Sequence, residues 1–180
     1  MSTSDPGRGI PEDVAARLAT EPGVWLATNR TSGPPHVTPV WFVFDEGVWW
    51  ISTGAGSVKA RNIMKSPEVS LALEDGRYPV VAEGSAQIHY EDFPAWVVDA
   101  FARKYDGWDM TTPEEPGDIR ILLEIPTRRW LLRVSESGLS ASHGPQTFGV
   151  SAIHGGVGDE IAATGRLGSV IGEHGEVLQS

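Results

Sequence analysis

Residues 36–53 read "HVTPVWFVFDEGVWWIST", and the reading of this stretch decides the fold. Two apolar runs, rich in valine and aromatic residues, flank Asp45-Glu46-Gly47. Such runs around a short glycine-containing turn form an antiparallel hairpin, with strands expected over 36–44 and 48–53. A doubly wound parallel sheet needs a helix after nearly every strand, and this pair has none between them. Pro39 removes one ladder donor, so a bulge or a sheet edge is expected there, where a ligand can reach the backbone. Trp41 and Phe42 fall on opposite faces of the first strand; Trp41 either offers its ring to a flat ligand or packs in the core, and packing is preferred.

The stretch that follows, "ISTGAGSVKARN" (51–62), collects glycines, hydroxyls and two basic residues. Three phosphate-binding patterns compete for it. The dinucleotide fingerprint lacks its third glycine, since Lys59 stands there, and no βαβ unit surrounds it. A Walker loop fails too, having no second glycine before Lys59 and no hydroxyl residue after it. What remains is a strand end at Thr53, a loop over Gly54–Gly56 and a helix start at Ser57. Ser57 can cap the helix, the free amides point outward, and the dipole favours an anion. Lys59 and Arg61 add charge, although residues two apart on a helix diverge by about 200°. Composition alone leaves this reading level with a plain N-cap beside solvated bases.

Working outward, "PEDVAARLAT" (11–20) predicts a helix with Pro11 in its first position and Val14, Ala15 and Leu18 on one face. "VWLATN" (24–29) predicts a strand, and "RTSGPP" a turn. "SVKARNIMKS" (57–66) has helical spacing with Val58, Ile63 and Met64 inward, stopped by Pro67. "EVSLALE" (68–74) alternates as a strand, and "YPVVAEGSAQIHY" (78–90) reads as one long strand kinked at Gly84. "DFPAWVVDAFARKYD" (92–106) gives the clearest helix, with Asp92 as its cap and Trp96, Val97, Ala100, Phe101 and Tyr105 recurring along it. "IRILLEIPTRRWLLRV" (119–134) is a strand with a break expected at Pro126. From Ser135 onward the sequence is rich in Gly, Ser and Ala, and mostly irregular or flexible structure is expected, with room for short helices near 158–171. The expected organisation is a loose N-terminus over 1–10, a barrel domain over 11–134 and a tail over 135–180. About six strands with helices inserted between them make a mainly β, α+β fold: a six-stranded antiparallel β-barrel.

The formal net charge of −10 argues against a nucleic-acid surface, because phosphate neutralisation needs clustered Lys and Arg. With no cysteine, disulfides, thiolate catalysis and Cys-ligated metals are excluded. No apolar run reaches the ~18 residues that span a bilayer, and "MSTSDPGRGI" carries no signal-peptide core, so a cytoplasmic protein without membrane contact is expected. His36, His89, His143, His154 and His174 have no metal spacing, so no metal is expected. Among them His36 is the candidate proton donor. Asp45, Glu46, Glu114 and Glu115 read as turn or loop residues, whereas Glu83 is expected half-buried in a strand. No G-x-S-x-G occurs, so serine hydrolase chemistry has no signature.

The order of pieces is informative as a whole: P-x-V-x-P-V-W-F, a hairpin, S-T-x-x-x-S-x-K-A-R-N, then S-P-E-V-S-L, then "VAEG". Over residues 11–134 this resembles the split β-barrel flavin and deazaflavin oxidoreductases, the superfamily of pyridoxamine 5′-phosphate oxidase, and within it the deazaflavin (F-420)-dependent branch. The resemblance implies an FMN-binding split-barrel fold and a homodimer with cofactor clefts between subunits. It implies a cofactor phosphate at Ser57, Val58, Lys59 and Arg61, with Ser52 and Thr53 nearby, and a ring system along Thr38, Pro39, Val40 and Trp41. Trp96, Trp108 and Trp130 are candidates for the wall supplied by the partner. Oxidases that bind flavin mononucleotide (FMN) carry Arg and Lys on the first hairpin strand, where this chain has Thr38 and Val43. The S-R-K-A segment is Ser57-Val58-Lys59-Ala60, one Arg fewer. Fewer cations suit a singly charged phosphodiester, as in F-420, better than a terminal monoester. The resemblance therefore implies hydride transfer between a deazaflavin and a conjugated small organic substrate. The alternatives on the same fold are an FMN-dependent, pyridoxamine-oxidase-like enzyme and a non-catalytic flavin- or haem-binding barrel.

Overall fold

In a computed structural model, the described residues of the chain form eight strands and three helices. The structure describes residues 9–113 and 116–134. The expectations for the first eight residues, for Glu114 and Glu115, and for the tail from 135 with His143, His154 and His174, lie outside the described residues. In chain order the elements are α1 (Glu12–Thr20), β1 (Val24–Thr28), β2 (His36–Val40), β3 (Val43–Asp45), β4 (Val48–Gly54), α2 (Val58–Lys65), β5 (Glu68–Ala72), β6 (Val80–Ser85), β7 (Gln87–His89), α3 (Ala95–Lys104) and β8 (Arg120–Arg133). None of these helices is long and apolar enough to cross a membrane.

Every strand pair is antiparallel, in the spatial order β2-β1-β5-β6-β8-β4-β3, with β7 also paired to β8. The two ends of that path, β2 and β3, are separated in the chain by only Trp41 and Phe42. Three Cα steps span at most about 11 Å, so the sheet must curl until its ends meet. This closure is the barrel. Its split lies on β8, where Arg120–Pro126 pairs with β4 and Thr127–Arg133 pairs with β6. Gly84 sits at that change of partner, beside a register shift. A Cβ on Gly84 would lie 2.7 Å from the Pro126 carbonyl oxygen and 2.7 Å from Ile125 Cγ2, so close approach of β8 requires glycine there.

The count of eight strands rather than six follows from two apolar runs that each split. The run 36–44 divides at Trp41–Phe42 into β2 and β3, so only β3 and β4 form the hairpin, Val43 opposite Trp50. Glu46 and Gly47 have φ of 45° and 84°, the twin positive values of a tight hairpin turn. β2 instead ends the path and pairs only with β1, so Pro39 stands on an edge as expected. The run 78–90 divides at Ala86 into β6 and β7. Pro126, by contrast, does not break β8: it pairs with Val48, and Thr127 N donates to Gly47 O at 2.9 Å.

Helix details also differ from expectation. Pro11 is the N-cap of α1, and Ala15 is exposed while Val14 and Leu18 are buried. In α2 the inward residues are Ala60 and Ile63, and Val58 and Met64 are exposed. A three-residue step from Ala60 to Ile63 fits the helical repeat; Val58 lies too near the helix start to be covered. Asp92 makes no cap to α3, whose N-cap is Pro94. Asp92 takes a left-handed φ of 57° in the preceding turn instead. Inside the barrel, Trp49 and Ile51 of β4 share one core with Leu26, Leu71 and Leu123, joined by Val14 and Leu18 of α1 and Ala60 and Ile63 of α2. On the other face of β4, Trp50 and Leu122 pack under Val97 and Phe101 of α3.

Candidate functional site

A cleft of about 350 Å³ opens where β4 runs into α2. Pro39, Val40 and Trp41 line one side, Ser52, Thr53, Gly54, Ser57 and Lys59 another, and Trp108 and Arg120 complete it. Seven of the ten cofactor-contact residues expected from sequence thus meet in one place. Thr38, Val58 and Arg61 do not line it. Arg61 turns its guanidinium back onto the Gly56 carbonyl. His36 opens β2 opposite Thr28, four strand positions or about 13 Å from Val40, with Nδ1 3.5 Å from the Arg30 guanidinium. Among the described residues, neither a histidine nor a carboxylate lines the cleft.

The polar side is built from consecutive residues. Ser57 caps α2, its Oγ accepting from Ala60 N at 3.2 Å, and its own N–H donates to Gly54 O at 3.1 Å. Thr53 Oγ1 donates to Ser57 Oγ at 3.4 Å, which leaves the Ser57 hydroxyl proton for a third partner. Ser52 has no such freedom. Its hydroxyl donates to Met110 O at 2.9 Å and accepts from the Arg120 guanidinium at 3.0 Å, so it offers an incoming group only an acceptor.

Arg120 is a site residue that sequence reasoning missed. It is 4% exposed, its Nε also donates to Met110 O at 3.3 Å, and its guanidinium lies 5.4 Å from the Trp108 ring centre. In the sequence it is one more residue of an apolar strand. Only the register, Arg120 opposite Gly54, brings it to the phosphate-type loop. Beside Gly54 lies the end of the Asp118 side chain.

The aromatic side corrects the expectation that Trp41 packs in the core. Val40 and Phe42 are buried, and the intervening Trp41 is 47% exposed. Its ring stacks on Tyr105 at 4.6 Å and 4°, and meets Trp108 edge-on at 5.1 Å and 84°. Behind it, Phe42 N donates to the Tyr105 hydroxyl at 2.8 Å, and that hydroxyl can donate to Phe42 O at 2.8 Å or Pro22 O at 3.1 Å. Burial pushes the Tyr105 phenol up to about 12. Its neighbour Lys104 lies over the Phe42 ring at 3.6 Å and donates to Leu18 O at 3.2 Å. Burial lowers this ammonium to about 8, with Glu21 opposing the shift.

The other expected residues separate. Trp108 lines this chain's own cleft, Trp130 packs at 5.9 Å from Phe44 and 6.0 Å from Trp49, and Trp96 is exposed, edge-on to Trp50. Glu83 is half-buried and pairs with Arg129 at 2.7 Å. His89 binds Glu124 at 2.7 Å, away from the cleft. Among the described residues no three His, Asp or Glu side chains gather as a metal site.

The family profile described as pyridoxamine 5′-phosphate oxidase matches residues 10–132. Among solved structures, the chain is similar to an F420 reductase at 24% identity, TM-score 0.54, covering 67% of this chain and 98% of that one. It is similar to a conserved hypothetical protein from Mycobacterium tuberculosis at 28% identity, TM-score 0.57, covering 77% and 92%. It is also similar to the haem storage protein HutZ from Vibrio cholerae at 16% identity, TM-score 0.57, covering 69% and 94%. No curated protein matches it.

Proposed function

The chain belongs to the pyridoxamine 5′-phosphate oxidase family, and from that premise we propose that it is a deazaflavin (F-420)-dependent oxidoreductase acting as a homodimer. The observation that carries this reading is the pairing, in one cleft, of an exposed indole face with the capped start of α2 and Lys59. Trp41 would support a planar ring system, and the α2 amides, the Ser57 hydroxyl and Lys59 would hold a singly charged phosphodiester. When bound, the deazaflavin supplies a hydride at its ring C5 to a conjugated small organic acceptor. The chain's own residues orient the ring, anchor the phosphate and exclude water. The proton that completes reduction would come from solvent once the product is exposed, since His36, the candidate donor, opens β2 about 13 Å from Val40.

Charge supports the diester over the monoester. Val43, where FMN oxidases of this family carry a basic residue, is buried against Trp50 and Phe101, and Thr38 stands outside the lining. The second reading, FMN, is favoured by one observation: Arg120 brings another cation to the cleft. The homodimer is supported by the outer face of β1 and β2, where Trp25 and Val37 are exposed beside the edge-strand Pro39. Exposed apolar side chains clustered on a sheet face are the usual substrate of subunit contact.

Titration with F-420 and with FMN, followed by tryptophan quenching, tests the cofactor. F-420 binding with weak FMN binding is expected; tight FMN binding without F-420 binding would overturn it. Hydride transfer to a panel of conjugated acceptors then separates an enzyme from a sequestering protein, and light scattering reports the dimer.

A further inference from the structure

We infer that Tyr105 is a positioning residue for the cleft, holding Trp41 as a fixed aromatic wall by stacking behind its ring and clamping the backbone of Phe42. The inference rests on the proposed cleft reading only for what the wall receives. At Trp41–Phe42 the chain leaves the β1 ladder and joins the β4 ladder. Backbone groups at such a transfer need other partners. The Tyr105 hydroxyl is one: it accepts from Phe42 N and lies 2.8 Å from Phe42 O. The same side chain puts its ring 4.6 Å behind Trp41, nearly parallel. One residue thus fixes both the backbone that carries Trp41 and one face of its indole. Trp108, edge-on at 5.1 Å, stops the indole from rotating. The opposite indole face is left for a ligand, which must be flat to use it, and a wall fixed beforehand loses no rotamer freedom on binding. Tyr105 itself is held by α3, stacked on buried Phe101.

The test uses the full chain and two variants, Tyr105→Phe, which keeps the stack and removes the clamp, and Tyr105→Leu, which removes both. The first readout needs no cofactor. Of the seven indole N–H resonances, that of Trp41 is identified by its loss in Trp41→Phe, and that of Trp130, packed on Phe44 and Trp49, is identified likewise in Trp130→Phe and serves as control. The Trp41 resonance is expected to shift in Tyr105→Phe and further in Tyr105→Leu, with Trp130 unmoved. An unshifted Trp41, or a Trp130 that shifts equally, overturns the inference. The second readout is affinity for F-420 and FMN, expected to fall about three- to tenfold in Tyr105→Leu and less in Tyr105→Phe. Unchanged affinity beside a shifted Trp41 would also overturn it, since the wall would not serve the ligand. If the wild-type chain binds neither cofactor, the functional reading fails, while the resonance test of Tyr105 still stands.

Discussion

The two walls of the cleft are held in different ways. The polar wall, residues 52–59, is one continuous piece of chain: its loop and helix start are held by local bonds, Ser57 to Ala60, Thr53 to Ser57 and Ser57 to Gly54, and long-range bonds enter only at its strand end and Ala55, from Met110, Arg120 and Ile119. The aromatic wall is assembled from afar: the Phe42–Tyr105 bond spans 63 positions, and Trp41, Tyr105 and Trp108 meet only because α3 lies on the outer face of β4 and β8. A wall made of local bonds keeps its shape when one side chain is changed and loses only that side chain's charge or donor. A wall made of long-range packing shares its fate with the helix that carries it. Affinity and stability should therefore separate on the polar side and move together on the aromatic side.

The largest effect is expected beneath the aromatic wall. Phe101 is fully buried, with its ring 5.8 Å from Tyr105 and 5.9 Å from Trp108. Phe101→Ala should cost about 3–5 kcal/mol of stability by opening a cavity under α3. Denaturant unfolding reads this directly, and cofactor affinity should fall in the same variant. A cost below about 1 kcal/mol would mean that α3 docking does not hold the wall.

On the polar side the two quantities should part. Lys59→Ala should weaken cofactor binding by ~1.5–3 kcal/mol, the range for a charge-assisted hydrogen bond. Its unfolding free energy should change by less than its binding free energy, since Lys59 lies in the first turn of α2 and outside the buried core. Calorimetric titration and thermal melts on the same sample decide it; unchanged affinity would put the phosphate elsewhere. Ser57→Ala is the intermediate case. It should cost about 1 kcal/mol of stability through loss of the cap, with binding weakened by loss of one donor. If stability were untouched, the Ser57–Ala60 bond would not be a working cap.

The same contrast explains what the sequence makes legible. The β3–β4 turn, the cap at Ser57 and the edge position of Pro39 each depend on a few neighbouring residues, so spacing and residue type reveal them. The split at Trp41–Phe42 has no local mark: 36–44 is a continuous apolar run, and its partner change is supported by a tyrosine on a distant helix. Alternation correctly put Trp41 and Phe42 on opposite faces. It could not show that the face of Trp41 is a cleft backed by Tyr105 and Trp108 rather than core. Arg120 was hidden for a related reason. Inside "IRILLEIP" its charge has no local partner, and its place beside Ser52 follows from the register of β8 on β4. Val58 and Met64 fooled the helical spacing because eight residues are too few to fix which apolar face turns inward.

The smallest effect expected is also the most specific to the aromatic side, and it is a pH effect. Lys104 lies over the Phe42 ring, and burial lowers its ammonium from 10.5 to about 8. Below pH 8 it is charged in both folded and unfolded chains; above about 10.5 it is neutral in both. Between those values the unfolded chain holds the proton and the folded chain does not. Stability therefore rises with pH across that window. Because the side chain is only half-buried, solvent screening reduces the gain to on the order of 1 kcal/mol. Tyr105 acts oppositely and higher: its phenol, raised from 10.0 to about 12, keeps its proton in the folded chain while the unfolded chain loses it, so stability falls above pH 10. Comparison with Lys104→Met removes that second influence, since both proteins keep Tyr105. Urea unfolding at pH 7, 8, 9 and 10 should show wild type gaining on Lys104→Met as pH rises. Parallel curves would mean that the ammonium above Phe42 stays hydrated, and that the back of the aromatic wall is open to water.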